Sequence, residues 1–414
     1  MTVAFDELPA DPDDYLPPAP HARSRHVEPE IRRTSKAAQV AAPTDLSAEE
    51  VDQVIRFITA KGFVFQPWQV AAFITAVRTK PFVILAGISG TGKTKLPVLV
   101  AEATQARCNI VPVRPDWNDS SELLGYERLD GTFQPGALLR AAKEAMNEPD
   151  TQFFFVLDEM NIARVEYYLA EVLSHLETRG PSLNGRIQSG PLVPALQDTQ
   201  HSDWANVCLP DNLCIVGSVN MDETTFGFSK KVLDRAFVIE FSDIDLSAIR
   251  PVNEEAIDPT KWLSSQWRPA ALSLSGHPLC GSEEVSFTIE VLTEVNEILK
   301  QAQLQFGYRV RDEIAMFCLA AKDYFDSFVT NDAGTVSPLD LAVAMKVLPR
   351  IQGSGATTRM VLEELSHWAS PTAEQTESQP EEISGATSQY PFSSDRLELM
   401  RRRLDEVGFT NFWL

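Results

Sequence analysis

Residues 87–94 read Gly87-Ile88-Ser89-Gly90-Thr91-Gly92-Lys93-Thr94 and fit G-x-x-x-x-G-K-[ST] at every fixed position. Each residue type has a task in holding a polyphosphate. Glycines let successive backbone N–H groups turn toward one anion without Cβ clashes. The helix that follows aims its positive end at the same charge. Lys93 reaches the β- and γ-phosphates, and Thr94 offers a hydroxyl to Mg²⁺. A second pair, Asp158-Glu159, closes the apolar run Phe153–Leu157. There Asp158 holds the metal, usually through water, and Glu159 polarises an attacking water. Two acids at the tip of a buried strand are costly unless a cation joins them. Asn220 closes another apolar run and suits orienting that water or sensing the γ-phosphate. Arg235, at the end of the basic stretch Ser229–Arg235, can stabilise charge on a γ-phosphoryl group bound by a neighbouring copy. Together these residues describe Mg²⁺-dependent hydrolysis of a nucleoside triphosphate.

A parallel sheet is needed to position them. Runs at Phe82–Ala86, Asn109–Val113, Phe153–Leu157, Leu213–Val219 and Ala236–Phe241 predict five strands. The continuous apolar run before Asp158 implies a strand covered on both faces, with ligands at its C-terminal end. The helix after the phosphate loop runs to about Gln105, and Pro97 in its first turns removes one ladder bond at the Lys93 carbonyl. Further helices are predicted over Pro135–Met146 and Val165–Thr178. Upstream, Ser47 and Glu50 form a capping-box pattern ahead of Val51, Val54, Ile55 and Ile58, and Lys61-Gly62 ends that helix. A second helix follows Pro67, with Val70, Phe73, Ile74 and Val77 as its buried face. Gln66 and Trp68 sit where a segment can cover a nucleotide base, although Trp68 reads first as core. Tyr126–Phe133, centred on Asp130-Gly131, predicts a hairpin with a two-residue turn. Residues 180–200, with Asn184-Gly185, read as hairpins and loops. Asn161 is placed to touch a metal shell or a neighbouring subunit.

The second half reads differently. Residues 245–275 are irregular, with Trp262 and Trp267. Two helices over 285–328 break at Phe306-Gly307-Tyr308, and others span Pro338–Leu348 and Thr358–Ala369. A Ser/Thr/Glu/Gln/Pro-rich stretch reads as a linker. A last helix opens on Ser394-Asp395 and stops at Gly408, with Phe409, Phe412 and Trp413 anchoring the terminus on the helical domain. The expected organisation is a disordered N-terminal arm (1–44), an α/β nucleotide-binding domain (45–245), a helical lid (246–369), a linker (370–392) and a C-terminal helix on the lid (393–414).

Bulk properties narrow the partners. The 414 residues are 44% hydrophobic and 23% charged, which is ordinary for a globular chain. No apolar run is long enough for a transmembrane helix, and the acidic, proline-rich N-terminus is not a secretory signal. The five scattered cysteines, without CxxC, point to reduced core thiols in a cytoplasmic protein and away from a zinc site. A net charge of −22 argues against an autonomous grip on duplex DNA, while leaving room for a DNA-binding partner.

Phosphate loop, acidic strand, asparagine strand, arginine and helical domain, in that order, resemble the AAA+ ATPases. The wording is similar to the McrB-type branch, the motor subunits of modification-dependent restriction systems, in GISGTGKT, the Tyr126–Phe133 hairpin, VLDEMNIARVEYYLAEVLSHLE, GSVNMDETT, KKVLDRAFVIEF and FGYRVRDEI. The resemblance covers about residues 50–368. It implies a P-loop parallel-sheet domain with an all-helical lid. It also implies that Lys93-Thr94 and Asp158-Glu159 are the two Walker pairs, Asn220 sensor 1, Arg235 a finger reaching a neighbouring subunit, and Arg309 sensor 2, with Arg311 as runner-up. The hairpin would face the pore of a ring, a hexamer in this family.

The family signature Met-Asn-x-x-Asp-Arg-Ser reads Val219-Asn220-Met221-Asp222-Glu223-Thr224-Thr225 here. That departure favours ATP over GTP. No modified-DNA reader and no nuclease pattern is evident, so a McrC-like nuclease and DNA contacts would come from partner chains. A MoxR-like ATPase that remodels a protein partner is the alternative, and the acidic charge suits it. A non-enzymatic scaffold is disfavoured by the intact set of site residues.

Overall fold

The structure, a computed structural model, describes residues 43–182, 185–198, 202–221, 226–242, 244–247, 257–370 and 388–413. The expected N-terminal arm (to residue 42), most of the linker (371–387), Asn184 and Asp222–Thr225 lie outside the described residues.

Helix α1 (Ala48–Ala60) starts on the expected capping box: Ser47 Oγ accepts from the Glu50 N–H, and the Ser47 N–H donates to Glu50 Oε2 at 2.9 Å. Gly62, at φ +83°, ends it. Helix α2 (Pro67–Thr79) departs from the expected single apolar face, because every residue from Trp68 to Thr79 is buried. A helix from the second half of the chain covers its outer side, and Thr75 Oγ1 meets Tyr324 Oη at 2.9 Å there.

The chain then enters β1 (Phe82–Gly87), α3 (Lys95–Thr104), β2 (Arg107–Pro112), α4 (Ser121–Leu124), β3 (Gly125–Glu127), β4 (Phe133–Pro135), α5 (Ala137–Asn147) and β5 (Phe153–Asp158). Next come α6 (Val165–Tyr168), α7 (Ala170–Glu177), β6 (Gly180–Pro181), β7 (Ile187–Pro191), α8 (Ser202–Ala205), β8 (Cys208–Pro210), β9 (Leu213–Asn220), α9 (Lys230–Leu233) and β10 (Phe237–Phe241). The five predicted strands form one parallel sheet in the order β10-β1-β9-β5-β2. The register brings Gly87 beside both Asn220 and Phe241, and Leu157 beside Gly217. The phosphate loop, the two acids and Asn220 therefore gather at the C-terminal edge.

Local details correct the sequence reading. The helix expected over Val165–Thr178 breaks at Leu169, whose ψ is −2°. The basic helix shrinks to the single turn of α9. The β3–β4 hairpin has a three-residue loop in place of two. The Gly131 N–H bonds back to Arg128 O, the Arg128 N–H bonds to Thr132 O, and only Gly131 is left-handed. That is a type I turn with a bulge. Leu129 stands fully exposed at its tip. Strands β6, β7 and β8 form a three-stranded antiparallel sheet in that order. The described part of the irregular stretch after residue 256 is a packed strap: the Thr260 and Trp262 N–H groups donate to the end of α3, and Trp267 meets Phe154 edge-on at 5.3 Å.

The helical region holds α10 (Glu283–Lys300), α11 (Tyr308–Ala321), α12 (Pro338–Lys346), β11 (Gln352–Ser354), α13 (Ala356–Ala369), α14 (Pro391–Val407) and β12 (Phe409–Asn411). The fold is thus an AAA+ α/β domain with a helical lid. Helix α14 begins at Pro391, ahead of the expected Ser394-Asp395, because its cap is tertiary. The buried Asp340 carboxylate of α12 accepts the Phe392 and Ser393 N–H groups at 2.8 and 3.0 Å. Phe412 is buried as expected, but Phe409 is exposed, and Trp413 packs on Phe228 at 5.1 Å. No helix among the described residues is long and apolar enough to cross a membrane.

A buried ionic cluster joins lid to sheet. Lys346 Nζ pairs with Glu313 and donates to the carbonyls of Asp234 and Ala236, while Lys80 meets Glu313 at 2.9 Å. Burial pushes the Glu313 carboxyl up, but Lys346 and Lys80 together hold it below its ordinary value. Replacing Lys346 by Ala leaves that carboxylate buried with one partner, for an expected loss of about 3–5 kcal/mol in urea unfolding. A depressed folded pKa gives stability that is complete above about pH 4.3 and is lost as pH falls through the folded value. The acid limb of the stability profile should therefore flatten in Lys346→Ala.

Candidate functional site

The phosphate loop is shaped by close approach. Gly87 has φ +152°, and a Cβ there would lie 2.4 Å from Phe241 O on β10. Gly90 and Gly92 have φ +86° and +85°, which any side chain would strain. Lys93 is buried, and its Nζ donates to the loop carbonyls of Gly87 and Ile88 at 3.0 and 2.6 Å. These are bonds a phosphate oxygen can replace. Thr94 precedes α3, so Pro97 falls in the first turn, where a missing N–H costs little.

The acids come next. Thr94 Oγ1 donates to Asp158 Oδ1 at 2.6 Å, and Ser218 Oγ donates to the same oxygen at 2.6 Å. Glu159 is left-handed at φ +53°, ψ +47°, and its N–H donates to Ser218 Oγ at 2.9 Å. Asn220 Nδ2 donates to Glu159 Oε1 at 3.0 Å. Lys93, Thr94, Asp158, Glu159 and Asn220 therefore share one neighbourhood. Ser218 was missed from sequence; its signal was its place two residues before Asn220, on the same face of β9. Asn161 is not exposed to a neighbour: it is buried, with Nδ2 on the Asn220 carbonyl at 3.1 Å.

The two arginines lie apart from this group. Arg235 Nε and Arg309 Nη1 both meet Glu177 Oε1 at 2.7 Å. Among the described residues, none of their ion pairs reaches the phosphate loop or the acids. Arg311 pairs with the adjacent Asp312 and lies over the Tyr308 ring.

A cavity of about 330 Å³ opens beside the loop, lined by Phe65, Gln66, Gln69, Thr91, Phe241 and Asp245 among others. Its size suits a nucleoside. Gln66 belongs to it, with Oε1 accepting the Asn331 N–H at 2.7 Å. Trp68 does not; it packs edge-on against Phe392 at 5.0 Å, as core.

The donor set fits Mg²⁺. Thr94 and Asp158 present adjacent hard oxygens, and a metal that keeps waters and phosphate ligands asks for few carboxylates. No group of three or more His, Cys, Asp or Glu suited to a metal occurs among the described residues.

Comparison with known proteins places these residues in a family. Residues 82–236 match the AAA domain (dynein-related subfamily), and residues 270–409 match a domain of unknown function (DUF8727). The chain is 24% identical over 251 residues to the type IV methyl-directed restriction enzyme EcoKMcrB subunit of Escherichia coli (strain K12). That match spans 59% of this chain and 49% of the relative, about half its length. A crystal structure from Cytophaga hutchinsonii ATCC 33406, provisionally described as an ATPase, aligns at 14% identity and a TM-score of 0.44, covering 73% of this chain and 87% of that one. Residues 82–236 thus carry an AAA domain of the dynein-related subfamily, and the chain is similar to an McrB subunit over 59% of its length.

Burial pushes the Lys93 ammonium below its ordinary pKa, with Asp158 and Glu159 pulling it part of the way back. A bound triphosphate restores the charged form. Binding should therefore take up protons in the alkaline range, measurable as a dependence of binding heat on buffer ionisation enthalpy. Lys93→Arg, whose charge is fixed, should bind without that uptake.

Proposed function

We propose that this protein is a ring-forming, NTP-hydrolysing motor that drives a partner nuclease in a McrBC-like DNA-restriction or phage-defence complex. The observation carrying the reading is the continuous hydrogen-bonded set from Thr94 through Asp158 and Ser218 to Glu159 and Asn220. ATP is the expected nucleotide, since Glu223-Thr224 stand where the GTP-using family signature has Asp-Arg.

Each side chain has a task in hydrolysis. Lys93 exchanges its loop carbonyls for the γ-phosphate oxygens. Thr94 and Asp158 would hold Mg²⁺, which neutralises charge building on the β- and γ-phosphates. Glu159, with its carboxylate steadied by Asn220, orients the attacking water. Arg235 contributes from a neighbouring copy once it leaves Glu177, and Arg309 follows the nucleotide from the lid. A ring of copies, a hexamer in the family the sequence resembles, would supply that neighbour. The hairpin, with Tyr126 and Leu129 exposed, offers a contact to whatever occupies the ring. DNA would be gripped by a partner, because a chain of net charge −22 is poorly suited to it. The same charge favours the second reading, a MoxR-like ATPase that remodels a protein partner.

Glu159→Gln should bind nucleotide as wild type does but lose turnover by about 10² or more. Arg235→Ala should lose about 10³ in turnover with binding retained. Mixing the two inactive proteins should restore activity, since each supplies what the other lacks across an interface. Steady-state assays with ATP and GTP, with light scattering, check these outcomes. Failure of mixing to restore turnover removes the role assigned to the neighbour's arginine. Recovery of a McrC-like nuclease by pull-down from the native host supports the first reading; recovery of a metal-insertion or von Willebrand-type partner supports the second.

A further inference from the structure

The turn after β5 is an unusual place for a glutamate. Glu159 holds φ +53°, ψ +47°, a conformation that only glycine, and less often Asn or Asp, visits readily. Three contacts hold it there. The buried Ser218 accepts the Glu159 N–H at 2.9 Å. Asn220 donates to the Glu159 carboxylate at 3.0 Å. Met160, fully buried, fills the space over Gly217, where a Cβ would lie 1.9 Å from its sulfur.

We infer that Ser218 is a positioning residue for hydrolysis, which fixes the left-handed backbone of Glu159 and so the direction of its carboxylate. The hydroxyl has one proton, and that proton is committed to Asp158 Oδ1 at 2.6 Å. With the proton fixed, a lone pair is left facing the Glu159 N–H. The orientation of one hydroxyl thus depends on the acid that precedes the residue it steadies. Because side chains repeat every two residues along a strand, Ser218 and Asn220 project from the same face of β9. One strand therefore grips Glu159 at both ends, by backbone and by carboxylate. A hydrogen-bond acceptor of this size in this place is what the geometry requires. Alanine removes it, threonine keeps it, and cysteine keeps the volume but bonds weakly.

The inference rests on the hydrolytic reading above and is tested in the full-length protein. Ser218→Ala should lower kcat about 10- to 100-fold, the size of effect that misplacing a reacting group produces. Nucleotide Kd should stay at the wild-type value, and the Mg²⁺ concentration for half-maximal rate should shift far less than kcat, since Thr94 still donates to Asp158. Ser218→Thr should restore kcat. If Ser218→Ala does not fold, Ser218→Cys takes its place in the series. The deciding measurement is the double mutant. Residues that act as a unit are not additive, so Glu159→Gln/Ser218→Ala should turn over no more slowly than Glu159→Gln alone. Losses that multiply, or a Kd or Mg²⁺ requirement that shifts as much as kcat, would overturn the inference and mark Ser218 as a binding or purely structural residue. A Glu159→Gln protein with wild-type turnover would instead overturn the hydrolytic assignment itself.

Discussion

One carboxylate oxygen holds the site together. Asp158 Oδ1 accepts the hydroxyls of Thr94 and Ser218, each at 2.6 Å. Those hydroxyls come from the phosphate loop after β1 and from β9, and Asp158 itself ends β5. Strand β9 lies between the other two, so three neighbouring strand ends meet on one atom. A half-buried carboxylate oxygen gains from such donors, because removing a charge from water without hydrogen bonds is costly. The apolar runs of β1, β5 and β9 keep that meeting point fixed by burying the strands on both faces.

The other organising contact lies at the lid. Lys346 donates to the carbonyls of Asp234 and Ala236, which flank Arg235, and Arg350 pairs with the Asp234 side chain. Helix α12 thus holds the backbone that carries Arg235. Arg235 and Arg309 also share Glu177, so one acid joins an arginine of the α/β domain to one of the lid. The lid and the Arg235 turn are connected through buried charges. The desolvation cost of burying the lysine is offset by Glu313 and two carbonyls, which satisfy all three of its N–H bonds.

Much of this was legible in the sequence, for local reasons. Gly87–Thr94 obeys a spacing set by backbone geometry. The runs before Asp158 and after Leu213 are continuous because both sheet faces are covered, and both end in the polar residues that gather at the site. Ser47 with Glu50, and Gly408, marked helix ends by their own hydrogen-bonding and conformational preferences. Where the reading failed, a distant partner had intervened. Helix α2 lost its polar face because α11 covers it. Helix α14 starts at Pro391 because Asp340 caps it from another helix. Trp68 is core, as it first read, against Phe392, while the hairpin loop differs for a local reason, taking a third residue because Gly131 alone is left-handed.

By itself, then, the sequence determined the phosphate loop, the five strands and the polar residues that end two of them, because each is encoded within a few consecutive residues. Only the tertiary structure decided that Ser218 joins Asp158 to Glu159, that Glu159 is left-handed, that Glu177 holds both arginines, and that Lys346 lies buried against Glu313. Those facts depend on which strands become neighbours and which charges lose their water. Such pairings span tens to more than a hundred residues of chain, and no local pattern records them.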